Sequence, residues 1–409
     1  MAKKPISLGQ RLRDLRQANK RTLRDIEADS GLNSGYLSQL EQGKVSQPTP
    51  AVLQKVAAGY GVPVPVVLSW AGYIEEEEDG LSLNQARALS YLGANPTDHE
   101  VETLKAVLDA LRSAQRAGYS GSSLDLALAG ESLIEIRANT EALLREADAV
   151  GQFPTPLADL STVAGLVATN EITLSPRERK LLERKFGPMV HRVWSRLQGL
   201  VDFRSSEVWV KPGLAEVRQR FIHGHEIGHK ILPWQRETFA YLDDKSTLRP
   251  DVAALFEREA NQVAIELLSQ GERLVQEADD SKPNFFVIAG LADKYGLSIV
   301  AAARRVAECS RRRIALIVCY RSEDGYRGPP HLYSSRSFEE RFRWQTIGLP
   351  PFISELMSQA AFGQAPTQAF AGRADGKMQP LRVEVRPLPR SLMVLLVPQR
   401  RGVSLPSLS

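Results

Sequence analysis

Cysteine is almost missing from this chain of 409 residues: there are two, Cys309 and Cys319. Two cannot build a secreted disulfide framework, and they lack the close spacing of a metal-binding cysteine pair. That usage points to a reducing cytoplasm. Long apolar runs are missing as well. No uninterrupted stretch approaches the roughly 20 residues that cross a bilayer, so no membrane partner is expected. The basic N-terminus, "MAKKPISLGQRLRDLRQANK", is followed by no apolar segment, which excludes a signal peptide. A strong overall charge of one sign is also lacking, since the formal net charge is +4.

What is present is a chain too long for one ordinary core, so roughly two to four domains are expected. Hydrophobic residues make up 43% and charged residues 24%, the balance of a globular protein. The charge is unevenly spread. Residues 1–73 hold ten Lys/Arg against five Asp/Glu, and residues 310–400 hold fourteen against seven. The stretch 74–309 is acidic, with 27 basic and 36 acidic residues. Two basic ends around an acidic middle suggest polyanion contact at the ends; ordinary solvated faces explain the C-terminal end equally well.

Periodicity organises the chain into a multidomain, mainly α protein with α+β parts. Residues 8–20 place Leu8, Leu12 and Leu15 on one helical face. A second helix follows Thr22, a good N-cap, with Asp25 completing an approximate capping box, and Gly31 ends it. A third starts at Asn33, a fourth carries Pro50 in its first turn, and a fifth covers about 65–73. The run "EEEEDG" (75–80) marks a boundary. One or two helices then fill 81–118, and "GYSGSS" (118–123) reads as a flexible joint. Long helices are expected over about 131–149, 214–232 and 249–270, with a hairpin or small sheet in 200–214 and a helical pair around Gly296. From 313 onward "RIALIVCY", "PLRVEVRPL" and "SLMVLLVPQ" read as strands of a separate α/β domain. The expected units are 1–73, a helical linker region 74–130, 131–280, a helical segment 281–312 and 313–409.

The first unit has the layout of a helix–turn–helix. There one helix lies across the DNA backbone and the next sits in the major groove, its leading polar residues reaching base edges. The reader starts at Asn33, with Ser34, Tyr36, Ser38 and Gln39 as its polar positions. Leu37 and Leu40 turn to the core. Arg21, Arg24 and Lys44 are placed to contact phosphates. "TLRDIEADSGLNSGYLSQLEQGKVSQPTPAVLQKVA" resembles the Cro/phage-repressor family, called XRE, over about residues 7–73. The resemblance implies a five-helix bundle that binds double-stranded operator DNA, usually as a dimer.

The second signal is "RFIHGHEIGHKILPW" (220–234). On a helix, residues i and i+4 share a side, so His225 and His229 can face one ion while Glu226 is offset toward its water, as suits a general base. HExxH alone also recurs by chance. A catalytic zinc site needs a third protein ligand, and the metzincin continuation is absent after His229. "FEREANQVAIELL" offers Glu257 and Glu259, which point in different directions, so only one should face the ion. Gly228 leaves room for a close backbone or substrate approach.

"RQRFIHGHEIGHKIL" followed by "EREANQVAIELL" resembles the ImmA/IrrE family of metallopeptidases, over about residues 131–275. The resemblance implies a zincin-like fold holding Zn2+ through His225, His229 and Glu257, with Glu226 as the base. Glu259 falls on a variable position of the family pattern. Two departures are "IHGHEIGH", where an "AHELGH"-like text is usual, and "LLSQ" after the ligand helix, where "LLMP" is common. The segment 291–309 resembles a second helix–turn–helix-like unit, for which packing is favoured over DNA reading. The final stretch is similar to a GAF-like sensor in order and texture. Its basic excess is compatible with single-stranded DNA held in a groove of Tyr320, Tyr326, Tyr333, Phe342 and Trp344, or with core aromatics and solvated arginines.

The resemblances together imply a stress-responsive, homodimeric transcription regulator whose zinc endopeptidase cuts itself or a partner repressor when a signal arrives. The competing expectation is a ligand-sensing XRE repressor in which the peptidase fold is a non-cleaving scaffold.

Overall fold

The computed structural model describes residues 7–76, 130–169, 199–202, 206–241, 246–322, 325–326, 330–348, 350–361, 367–389 and 391–399. The helices expected in 81–118 and the joint at 118–123 lie outside these residues. The chain divides into two compact units, one of residues 1–152 and 156–267, the other of 153–155 and 268–409. Among the described residues no single helix is long and apolar enough to cross a membrane.

The first unit opens with five helices: α1 (Leu8–Ala18), α2 (Leu23–Ser30), α3 (Ser34–Glu41), α4 (Pro50–Tyr60) and α5 (Val64–Trp70). Each of the first four has a side-chain cap, from Ser7, Thr22, Asn33 and Thr49. Thr22 and Asp25 form the full reciprocal capping box. Gly31 adopts φ +68°, the left-handed turn between α2 and α3. Leu12, Ile26, Leu37, Leu40, Leu53, Val56, Val67 and Leu68 are buried between the helices. Glu41 is buried too; it receives two bonds from Arg16, at 2.6 and 2.7 Å, and one from the Tyr60 hydroxyl at 2.8 Å. The third helix ends at Glu41, where Gln42 caps it and Gly43 turns to φ +69°.

The division expected between residues 73 and 74 coincides with the start of a strand. β1 (Ile74–Glu76) pairs antiparallel with β5 (Ser246–Leu248), so strand hydrogen bonds absorb the start of the acidic run. The rest of this unit comprises α6 (Gly130–Glu146), α7 (Leu157–Val163), β2 (Val167–Thr169), β3 (Gly199–Asp202), β4 (Glu207–Val210), α8 (Glu216–Ile231), α9 (Pro233–Tyr241) and most of α10 (Pro250–Ser269). The small sheet runs β2-β4-β3, with β2 parallel and β3 antiparallel to β4. The five-helix bundle is not tethered by one linker alone. α5 and α4 pack on α9, α4 packs on α6, Lys55 Nζ meets Glu135 Oε1 at 2.6 Å, and the Arg249 N–H donates to the Tyr73 carbonyl.

The second unit contains α11 (Arg273–Asp280), α12 (Phe285–Tyr295), α13 (Ile299–Cys309), β6 (Ala315–Ser322), β7 (Gly325–Tyr326), β8 (His331–Ser334), α14 (Arg336–Phe342), α15 (Trp344–Ile347), α16 (Phe352–Ala361), β9 (Gln368–Gly372), β10 (Met378–Leu388) and β11 (Ser391–Pro398). The strands form an antiparallel sheet in the order β7-β6-β11-β10-β9, with β8 also on β6. Alternation along the strands divides its two faces. Ala315, Ile317, Val383, Val394 and Leu396 share a core with Phe338, Phe342, Trp344 and Ile353 of α14 to α16. On the other face, Glu384 accepts from the Phe285 N–H at the start of α12.

The helical pair α12–α13 is spent on packing. Ala302, Ala303, Val306 and Ala307 of α13 are buried, and the helix lies on β6 and β8. Of the five aromatics weighed for a single-stranded DNA groove or for the core, two belong to the core. Phe342 and Trp344 are interior, because the sheet needs large side chains to fill the space beneath α14 and α16. Arg304 lies over the Tyr333 ring, and Tyr320 contacts His331 edge-on. The Tyr326 side chain lies outside the described residues.

Candidate metal centre and reader helix

The centre begins with a seam between two helices. Gly224 and Gly228 lie on one side of α8, four residues apart, and meet Ala264 and Ala260 of α10. A Cβ on Gly228 would stand 3.1 Å from the Cα and carbonyl oxygen of Ala260, and one on Gly224 would stand 3.3 Å from the Ala264 Cα. Small residues on both sides let the two backbones approach. Each of these glycines directly precedes a histidine, so the seam carries His225 and His229 up to the carboxylate of Glu257. The expected close approach at Gly228 is thus made by the backbone of α10.

His225, His229 and Glu257 each offer a ligand atom, all within 4.8 Å of one another. The two Nε2 atoms are 3.1 Å apart, and Glu257 oxygens lie 3.3 Å from His225 and 3.7 Å from His229. The Glu257 side chain keeps 46% of its surface, and its carboxylate lies beside both imidazoles. Burial opposes its charge, but the hydrogen bond from His225 and both nearby imidazoles hold its pKa down at about 2. Burial pushes His229 down to about 4, the neutral state that ligation requires. Glu259, two residues on, faces away. It is fully buried and accepts at Oε2 from Trp234 Nε1 and Gln235 Nε2, each at 2.7 Å.

The chemistry of the donor set can be worked out from its partners. Gln235 Nε2 donates to Glu259 and to the Phe256 carbonyl, so the atom it turns to His229 is Oε1, an acceptor. His229 Nδ1, 2.7 Å away, therefore carries the hydrogen, and Nε2 keeps a lone pair. Asn261 Oδ1 lies 3.1 Å from His225 Nδ1. The His229 lone pair, His225 Nε2 and the Glu257 carboxylate converge on one point, and a divalent cation that displaces the hydrogen between His225 and Glu257 turns all three into ligands. These residues fit a metal ion.

Glu226 is 7% exposed and is held up at about 7, chiefly by burial. β3 approaches it closely: any Cβ on Gly199 would collide with Glu226 Oε1 and with Ile222. His223 contacts Ser161 of α7 through Nε2 at 2.7 Å. Tyr241 is largely exposed. Sequence reasoning missed Gln235, Asn261, Gly199 and the alanines of the seam. Only the four-residue spacing of Gly224 with Gly228 and of Ala260 with Ala264 offered a signal.

In the bundle, α3 presents Asn33 and Gln39 to solvent, and Arg24 and Lys44 are exposed beside it. Asn33 Oδ1 is engaged as the cap, accepting from the Tyr36 N–H at 2.7 Å, and Ser38 Oγ accepts from Gln42. Ser34 and Tyr36 are half-buried. Burial, with Glu131 nearby, raises the Tyr36 pKa. Arg21 is committed inside the bundle: it donates to the carbonyls of Gly59 and Asp25 and pairs with Asp29.

A helix-turn-helix domain family matches residues 7–70, and the IrrE N-terminal-like domain family matches residues 185–307. The HTH-type transcriptional regulator DdrOP3 of Deinococcus deserti is 32% identical over 102 residues, 24% of this chain and 78% of that protein. The chain belongs to the HTH-type transcriptional regulators. The chain is also 40% identical over 67 residues to the HTH-type transcriptional regulator RghRB of Bacillus subtilis, and 37% identical over 70 residues to the HTH-type transcriptional repressor RghR of the same organism. Those matches cover 16% and 17% of this chain and 48% and 52% of the relatives, so the chain spans about half the length of each. A Mycobacterium tuberculosis transcriptional regulator aligns structurally with a TM-score of 0.38 and 11% identity, over 72% of this chain and 81% of that one.

Proposed function

We propose that the regulator binds operator DNA as a dimer through α2 and α3, and that its IrrE-like domain is a zinc endopeptidase. His225, His229 and Glu257 would hold the ion, and the convergence of their donor atoms is the observation that carries this reading. The ion supplies Lewis acidity that polarises a scissile carbonyl and acidifies water. Glu226 takes the proton of the attacking water at a carboxylate oxygen and delivers it to the leaving amine nitrogen. Its pKa near 7, which a neighbouring cation draws lower, suits that exchange at neutral pH. The substrate is the chain itself or a separate repressor. The second unit is read as a GAF-like sensor of a stress signal, with single-stranded DNA among the signals to be tried.

One observation favours a second reading, in which the peptidase fold acts as a ligand-sensing scaffold without cleaving. The bundle is held by β5, α6 and α9 as well as by the chain after residue 76. A cut between 77 and 129 would leave those contacts in place. Purified full-length protein incubated with zinc, and with and without single-stranded DNA, is followed by mass spectrometry. Cleavage of the chain or a co-encoded repressor by wild type, and none by Glu226→Gln, supports the peptidase. Equal patterns from both proteins leave the scaffold.

A further inference from the structure

α9 starts immediately after the turn that ends α8, and its first turn reaches back to the metal centre. Trp234 and Gln235 are both fully buried, as is Glu259 opposite them on α10. This carboxyl, met by the Trp234 indole, the Gln235 amide and Ser132, with Arg258 nearby, adds nothing to the ligand set. It costs stability unless it organises something. What it organises is Gln235. With Nε2 fixed between Glu259 Oε2 and the Phe256 carbonyl, the amide cannot turn over, and Oε1 stays on His229 Nδ1. Trp234 donates to the same Oε2 and keeps the carboxylate from rotating away.

We propose that Gln235 is a positioning residue for His229. Anchored by Glu259 and Trp234, it holds the imidazole in the Nδ1-protonated tautomer, so that Nε2 is the donor to a divalent cation. The proposal rests on the metal-centre reading above and assigns the tautomer to a named acceptor outside the ligand set. A second-layer partner of this kind fixes ring orientation and raises ligand basicity, and its loss typically weakens metal binding about 10- to 100-fold. The anchoring works through acceptance at one oxygen. An amide at position 259 keeps an acceptor oxygen in the same place, so Glu259→Gln preserves the clamp, whereas an apolar side chain there releases it.

The test uses the full chain with two readouts. In metal-free protein carrying nitrogen-15 histidine, the tautomer of His229 is read by NMR and assigned by difference with His229→Gln. Zinc affinity is then measured by competition with a chromophoric chelator. Wild type and Glu259→Gln are expected to show the Nδ1-protonated tautomer and zinc affinities within a few-fold of each other. Gln235→Leu is expected to show mixed tautomers and about 10- to 100-fold weaker zinc. Gln235→Met, with equal reach and no amide oxygen, is measured beside it in case the leucine variant does not fold. The Nδ1-protonated tautomer and wild-type affinity in either Gln235 variant would overturn the proposal. So would a loss in Glu259→Gln as large as in Gln235→Leu. A wild-type chain with the expected tautomer that takes no zinc overturns the metal-centre reading instead, and the metal-free spectrum tells the two failures apart.

Discussion

The reader bundle and the metal centre belong to one compact unit and are built by opposite means. The bundle is local: each of its first four helices carries its own cap, and leucines and valines at helical spacing fill its core. The metal centre is assembled from β3, α8, α9 and α10, and rests on buried polar contacts and a glycine–alanine seam. A structure made of local signals tolerates change at its exposed positions. One made of long-range contacts is sensitive at positions that look unremarkable in the sequence.

The largest contrast lies in the chemistry. Glu226→Gln should reduce peptide cleavage by about 10²- to 10⁴-fold, the usual contribution of a positioned general base. Zinc content and DNA retention should stay at the wild-type level. Fragment yield, metal analysis and gel retardation check the three together. A variant that cuts like wild type would erase the distinction between the two regions.

Next comes pH. Burial holds the Glu259 carboxyl up at about 7, only partly offset by the bonds from Trp234 and Gln235. The unfolded chain ionises this group from about pH 4.3 upward, while the folded chain keeps the proton until about 7. The folded state binds more protons across that window, so stability falls as pH rises through it. Glu259→Gln removes this loss. Urea titrations at pH 4.5 and pH 7.5 should show the variant gaining on the order of 3 kcal/mol relative to wild type at the higher pH. An unchanged difference between the two pH values would contradict the assignment.

Glycine replacements compare the two regions directly. Gly228→Ala pushes a Cβ against the α10 backbone and should cost about 1–3 kcal/mol, with weaker zinc binding. Gly35→Ala, on exposed α3 with only Asn33 Oδ1 nearby, should be neutral or stabilising by less than about 1 kcal/mol. Thermal unfolding of the two variants measures the gap. The smallest effect belongs to the partly exposed pair Lys55–Glu135 between bundle and metal domain. Lys55→Ala should cost less than about 1 kcal/mol, and less again at high salt.

The bundle was legible because its signals are short-range: Thr22 with Asp25, Gly31, Asn33 and Pro50 lie within a few residues of what they shape. The ligand candidates His225, His229 and Glu257, and Glu226 beside them, were legible from spacing and resemblance, and the structure brings the first three together. Gln235 was hidden because nothing in "LPWQRE" says that its amide will meet an imidazole six residues back. Glu259 sits at a position where the family pattern varies, and nothing local in the sequence names Trp234 and Gln235 as its donors. β1 was hidden behind an acidic run that reads as solvated chain until β5 supplies its partner. In the second unit the three longest strands were legible, but Phe342 and Trp344 stayed open between a surface groove and the core because no local feature marks the inner side of α14.

The most direct measurement is zinc content together with zinc-edge X-ray absorption on the purified full-length chain, compared with His229→Gln and Glu257→Gln. The account expects one zinc per chain, two imidazole nitrogens and carboxylate oxygen around it, and loss of the ion in both variants. A chain that carries no zinc when zinc is supplied, or zinc that persists unchanged in both variants, would contradict it.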